Sequence, residues 1–207
     1  MWKYLIIILI AGGIYAWSND KAIGIESNLT SYIPIKYSTD LSINDAPIQK
    51  AVNNAKKSFP FDQYRITPLA SFQSVARVLG TKHYTSDREA ALSPVDLALG
   101  WGPMAKKNVL DALSISQSGR WYRWRTDNFP IPRRAIETNS ANMHFIPGNT
   151  IIEKKLKSIR EGDTVKFLGY LVHIEGKDGW QWTSSLTRND KGNHSCEVVL
   201  LEDIATI

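Results

Sequence analysis

Cysteine is almost absent from this 207-residue chain. Cys196 stands alone, which excludes a disulfide framework and any multi-cysteine zinc or iron-sulfur site. Histidine is scarce as well: His83, His144, His173 and His194 show no short ligand spacing, so neither a metal nor another cofactor is expected. No Gly-x-Ser-x-Gly elbow, internal repeat or low-complexity tract occurs. The two signs of charge nearly balance, 25 Lys and Arg against 20 Asp and Glu, and the resulting net charge of +5 permits an anionic partner without requiring one. With 43% hydrophobic and 22% charged residues, the chain is neither disordered nor a polytopic membrane protein.

What is present begins at the N-terminus. After Lys3, the segment from Tyr4 to Trp17 carries no charge and is rich in Leu and Ile. Extended to Asn19 it makes about 24 Å of helix, short of the roughly 30 Å hydrocarbon core, yet Trp2 and Trp17 sit where interfacial anchors belong. Residues 1–18 are therefore expected to form a signal anchor or signal peptide, with residues 19–42 as a polar tether and 43–207 as one β-rich extracytoplasmic domain. This arrangement predicts a bacterial inner-membrane protein with a single pass and a periplasmic or extracellular C-terminal domain.

Within that domain, Asp45-Ala46-Pro47 followed by Ile48, Ala51, Val52 and Ala55 predicts a helix ending by Phe59-Pro60. Tyr64 to Leu69 and Phe72 to Leu79 read as strands, and Ser93-Pro94-Val95-Asp96 as the start of a helical turn stopped by Gly100 and Gly102. Asn108 to Leu113 adds a further turn. Ile115 to Arg125 is expected to be extended, with Trp121, Arg123 and Arg125 on one face and Arg120, Tyr122 and Trp124 on the other. Thr150 to Arg160 follows the helical repeat through Ile151, Ile152, Leu156 and Ile159. Thr164 to Glu175, Trp180 to Thr187 and Cys196 to Glu202 are strand candidates, the last two joined by a turn near Asp190. The fold class is thus mainly β with few short helices. A helix placed between strands in this order fits a small OB-like β-barrel.

Four phrases in order, Leu92 to Gly102, Ile115 to Tyr122, Ser140 to His144 and Ser184 to Arg188, resemble a family of uncharacterised bacterial envelope-anchored proteins. The resemblance spans residues 60 to 203 and implies shared architecture, but no activity.

Four constellations carry recognisable chemistry. Arg120, Trp121, Arg123 and Arg125, followed by Arg133 and Arg134, combine guanidinium forks with aromatic faces and face a single nearby acid, Asp127. Their bland alternative is a strand with snorkelled arginines. Asn142 and His144 share a face of an extended segment, where a histidine can accept a substrate or serve structurally. Cys196 opens a strand candidate and suits burial as a small hydrophobe, the alternative being a thiol nucleophile with His144 as its base. Trp180 and Trp182 alternate with Thr183, Ser185 and Thr187, and Arg188 stands near the turn as a further binding candidate.

These residues predict a membrane-tethered binding or assembly domain that recognises an envelope protein or an anionic envelope polymer through Arg120, Trp121, Arg123, Arg125, Asn142, His144 and Arg188. Export disfavours nucleic acid as the partner. The alternative is a cell-envelope hydrolase using His144 with Cys196 or Ser185. The topology is checked directly: a reporter fused after Ile207 is expected to be active outside the cytoplasm, with the full chain in the membrane fraction, whereas cytosolic reporter activity overturns it.

Overall fold

The computed structural model describes residues 35–52, 58–187 and 196–207, so the anchor, most of the tether and the turn near Asp190 lie outside the described residues. The architecture is mainly β with few short helices. Strands β1 (Ile48–Ala51), β2 (Phe59–Phe61), β3 (Tyr64–His83), β4 (Val95–Gly100), β5 (Ser114–Ser118), β6 (Trp121–Arg125), β7 (Ser140–Pro147), β8 (Thr164–Gly176), β9 (Gln181–Thr183) and β10 (Glu197–Thr206) follow one another along the chain. Short helices α1 (Lys107–Leu110), α2 (Arg133–Thr138) and α3 (Thr150–Ser158) interrupt them.

Five of these strands pair in a closed circuit. β3 pairs antiparallel with β4, β4 antiparallel with β7, β7 parallel with β10, β10 antiparallel with β8, and β8 antiparallel with β3. One 20-residue strand can serve two neighbours because it is irregular at two places, between Pro68 and Ala70 and between Val78 and Gly80. Such bulges bend a strand and increase its twist, so the first part of β3 lies along β8 and the last part along β4. At the first irregularity the Leu69 carbonyl accepts from Val52 N–H instead of from β8. Gly169 has a related role: a Cβ there would lie 2.1 Å from Leu200 O, so glycine is what lets β8 cross β10 beside the bulge at Leu201/Asp203.

Inside the circuit, Phe72, Leu97, Phe145, Phe167, Leu171 and Val199 form the main core, and Phe145 meets Phe167 edge to face at 5.1 Å. Helix α3 closes it with Ile152 and Leu156. The helix starts at Asn149, whose side chain accepts from Ile151 N–H and Ile152 N–H, a standard way of satisfying orphan donors. The opposite face of β8 and β10 is apolar too: Tyr64, Ile66, Tyr170, Val172, Val198 and Leu200 pack together, with Trp180 and Trp182 against them. A third cluster, around Leu79, Ala98, Met104 and Ile136, lies beneath the separate two-stranded sheet of β5 and β6. The chain already touches this body at Tyr37, whose hydroxyl reaches Asp203 Oδ2 at 3.2 Å.

Several sequence expectations are corrected. Residues 48–51 form strand β1 against β3 rather than a helix, because pairing with a long neighbour outweighs a four-residue apolar spacing. Residues 95–100 form a strand buried at all six positions, so the alternation that marks a strand is lost; the helical turn lies upstream, at Arg88–Ala91. Residues 64–69 and 72–79 are parts of one strand. The segment 115–125 folds back on itself, with Ser118 opposite Trp121 and positive φ at Gly119 (57°) and Arg120 (66°). Arg120 is therefore a turn residue and shares no strand face with Tyr122 and Trp124. Ile151 is 67% exposed, not on the packed face of α3. Only residues 181–183 of the stretch 180–187 are strand.

Two measurements check this packing. Leu156→Ala is expected to cost about 2–5 kcal/mol in urea unfolding, and Ile151→Ala on the same helix within about 0.5 kcal/mol. Glu202 stands at the β10 bulge, and burial raises its carboxyl from the ordinary 4.5 to about 7. The folded chain then holds this proton more tightly than the unfolded chain, so stability falls as pH rises from about 4.5 through 7. Glu202→Gln is expected to flatten that part of the stability profile.

Candidate functional site

A carboxylate on the outer side of β4 organises the polar centre of the molecule. Residues of β4 alternate between core and outside: Val95, Leu97 and Leu99 point into the main core, which sends Asp96 the other way. Yet Asp96 is 0% exposed, so its charge needs partners. They arrive from three directions. Arg120 Nη1 donates to Oδ1 at 2.9 Å, Asn142 Nδ2 donates to Oδ2 at 3.4 Å, and His144 Nδ1 lies 2.9 Å from Oδ1 without the alignment of a hydrogen bond. Register explains the last contact, since Asp96 and His144 are direct cross-strand partners.

Arg120 reaches this position from the two-residue turn between β5 and β6. Tight hairpin turns favour left-handed backbone at both central residues, a conformation natural for Gly119 and costly for arginine. The surroundings hold it there. Its Nε and Nη2 donate to the two oxygens of Asp87 at 3.2 and 2.6 Å, Nη1 also donates to Ser93 O, and its backbone N–H donates to the Tyr84 hydroxyl. The guanidinium lies 3.7 Å from the Tyr84 ring centre. Asn142 donates to the Arg120 carbonyl and accepts from Gln117, which ties the hairpin to β7.

The electrostatics follow from this arrangement. Hydrogen bonds from Arg120 hold the Asp87 carboxyl below the ordinary range. Burial opposes the charge on Arg120, but the two carboxylates outweigh it and raise its pKa. Tyr84 is raised first by burial and then by the Asp96 charge.

Aromatic rings continue outward from the cluster. His144 lies 5.0 Å from Trp182, Trp182 lies 6.1 Å from Trp180, and Arg88 places its guanidinium 4.5 Å from the Trp180 ring while gripping Asp178 with both Nη atoms. Arg88 thereby joins the loop before β4 to the connection after β8. An open groove of about 440 Å³ lies nearby, beside Tyr64, Arg65, Glu175 and Lys177, and its lining mixes both signs of charge. Among the described residues, no group of three His, Cys, Asp or Glu is placed to hold a metal ion.

The predicted site residues divide into two groups. Arg120, Asn142 and His144 come together on Asp96. Arg123 and Arg125 are exposed on β6, with Trp121 half-buried beside the turn. Arg188 lies outside the described residues. Cys196 is half-buried, and its carbonyl accepts from Ser185 N–H. The Ser185 hydroxyl donates to Thr187 O and accepts from Thr187 N–H, as in a local turn. Val198 is the register partner of His144. Sequence reasoning missed Asp87, Asp96 and Tyr84 as partners of Arg120. The available signal was Asp96 itself, a lone acid inside an apolar run, which needs a cation if it is buried.

Arg120→Ala is expected to destabilise by about 3–5 kcal/mol because it strands the buried Asp96 charge. Arg120→Lys is expected to recover only part, since an ammonium cannot bridge two carboxylates as a fork. Combining Arg120→Ala with Asp96→Asn is expected to be less destabilising than the sum of the two single changes, measured by a urea double-mutant cycle. Comparisons of the chain with protein-family models, with curated proteins and with solved structures find no match in any of the three.

Proposed function

We propose that this chain is a membrane-tethered extracytoplasmic binding or assembly domain built on an OB-like barrel, and that it recognises an anionic envelope component or an envelope protein. Support for the barrel comes from the circuit β3, β4, β7, β10, β8, the parallel contact of β7 with β10, and helix α3 between β7 and β8. Barrels of this kind bind ligands on the face of their second and third strands and in the adjoining loops, which is an analogy at the level of fold. Those strands would be β4 and β7. The loops would be those carrying Tyr84 and Asp87 and those carrying Trp180 and Trp182.

The observation that carries the reading is the hairpin. It is inserted between β4 and β7, covers their outer face, and is pinned by Arg120. The surface offered to a partner is therefore the hairpin's own outward side, where Arg123 and Arg125 stand exposed. A rigid, positively charged strand is suited to binding, since little order has to be imposed when a partner arrives. The membrane tether and the envelope location rest on the N-terminal apolar run and on the resemblance of the four phrases.

The contact of His144 with a buried carboxylate favours one second reading, a hydrolase in which His144 acts with Cys196 or Ser185. The two readings separate by mutation. Arg123→Ala with Arg125→Ala is expected to weaken association with an anionic envelope polymer about tenfold at low salt, and Cys196→Ala is expected to leave it unchanged. Loss of function in folded, localised Cys196→Ser and His144→Ala variants establishes the hydrolase instead.

A further inference from the structure

Phe129 is 53% exposed, although it belongs to a segment held at both ends. Before it, Thr126 Oγ1 lies 2.8 Å from Ala112 O and 2.7 Å from Asn128 O. After it, Pro130 and Pro132 flank Ile131, which packs on the Leu79 and Met104 cluster. Prolines reduce the freedom of the chain, so this ring is presented to solvent by a braced loop. Its ring meets Trp124 edge to face at 6.0 Å.

Exposed cationic side chains stand on the elements before and after this loop. Arg125 is 85% exposed and stands 3.9 Å from Asp127, beyond hydrogen-bond distance. Arg133 is 68% exposed, meets Glu137 through Nε, and holds its guanidinium 5.7 Å from the Trp124 ring. Arg123 is exposed on the same strand as Arg125. A braced apolar side chain between two elements that carry exposed arginines combines the two forces that bring proteins to acidic bilayers: burial of apolar surface at the acyl boundary and attraction to lipid phosphates.

We propose that the loop between β6 and α2 docks on anionic lipid headgroups, with Phe129 entering the interface and Arg123, Arg125 and Arg133 meeting phosphates. This rests on the reading of the exposed arginines as the anion-binding side, and it names the anion. Lipid is favoured over an acidic glycan because Phe129 has no polar edge. Rings that recognise sugars or span a wet boundary are better served by the hydrogen-bonding edge of Trp or Tyr. Proximity adds to the case. If the apolar run lies in a membrane, the residues between Trp17 and Ile35 hold the domain within about 60 Å of it even when fully extended. A tethered surface of this kind meets the bilayer at high effective concentration.

The full chain with Cys196→Ser and Phe129→Cys carries a single thiol at the proposed contact. It is labelled there with an environment-sensitive fluorophore and reconstituted into vesicles containing brominated lipid, either phosphatidylcholine alone or with about 30% phosphatidylglycerol. Quenching is expected only with the anionic lipid. It should be lost in about 0.5 M salt and on adding Arg125→Ala and Arg133→Ala. A thiol placed by Glu161→Cys, beyond the patch, should report water in both vesicles. A probe at 129 that remains in water on anionic vesicles overturns lipid docking. If soluble acidic polymer still binds through Arg123 and Arg125 in that case, the anion-binding reading stands without lipid, and if it does not bind, both fall. Quenching that ignores the arginines also overturns the proposal.

Discussion

One guanidinium holds the outer half of this molecule together. Arg120 stands between Asp87 on the loop before β4 and the fully buried Asp96 on β4. Asp96 has no access to water, and a buried charge is tolerated only with good geometry and enough hydrogen bonds. The fork of Arg120 supplies both, and it does so from a backbone conformation that arginine rarely adopts. The cluster therefore fixes a register as well as contributing energy. With Arg120 seated, the turn of the hairpin can occupy one place only, and Asn142 and Gln117 continue that registration across to β7.

That registration decides which surfaces remain for partners. The outer face of β4 and β7 is covered by a segment of the same chain, so side chains such as Asn142 and His144 act as internal supports and are almost inaccessible. The exposed side chains lie one layer outward, on β6 and the loop that follows it. Basic residues which look like one continuous patch in the sequence therefore have separate tasks: Arg120 faces inward as a clasp, and Arg123 and Arg125 face solvent.

β8 and β10 were legible as long apolar runs, and α3 as a sequence with helical period. The segment 140–147 likewise placed Asn142 and His144 on one face, as its spacing suggested. Where reading failed, tertiary pairing was responsible. β4 is buried on both sides and lacks alternation, so the Ser-Pro-Val-Asp phrase resembled a helix start. β1 is four residues long and owes its conformation to β3. The Arg120 cluster was half visible. Its cation and amide were identified, but the acids come from positions 24 and 33 residues earlier, and nothing local in the sequence couples them to the turn.

The double partnership of β3 also governs when the protein can become itself. Tyr64 pairs with Gly176 and Arg77 with Thr164, so strand β3 waits for about a hundred further residues before β8 exists. The parallel contact of β7 with β10 comes later still. Closure is consequently a late event in the life of the nascent chain, and the apolar faces of β3 stay uncovered until then. Chains with so much non-local pairing fold slowly, commonly in milliseconds to seconds, and expose sticky edges meanwhile.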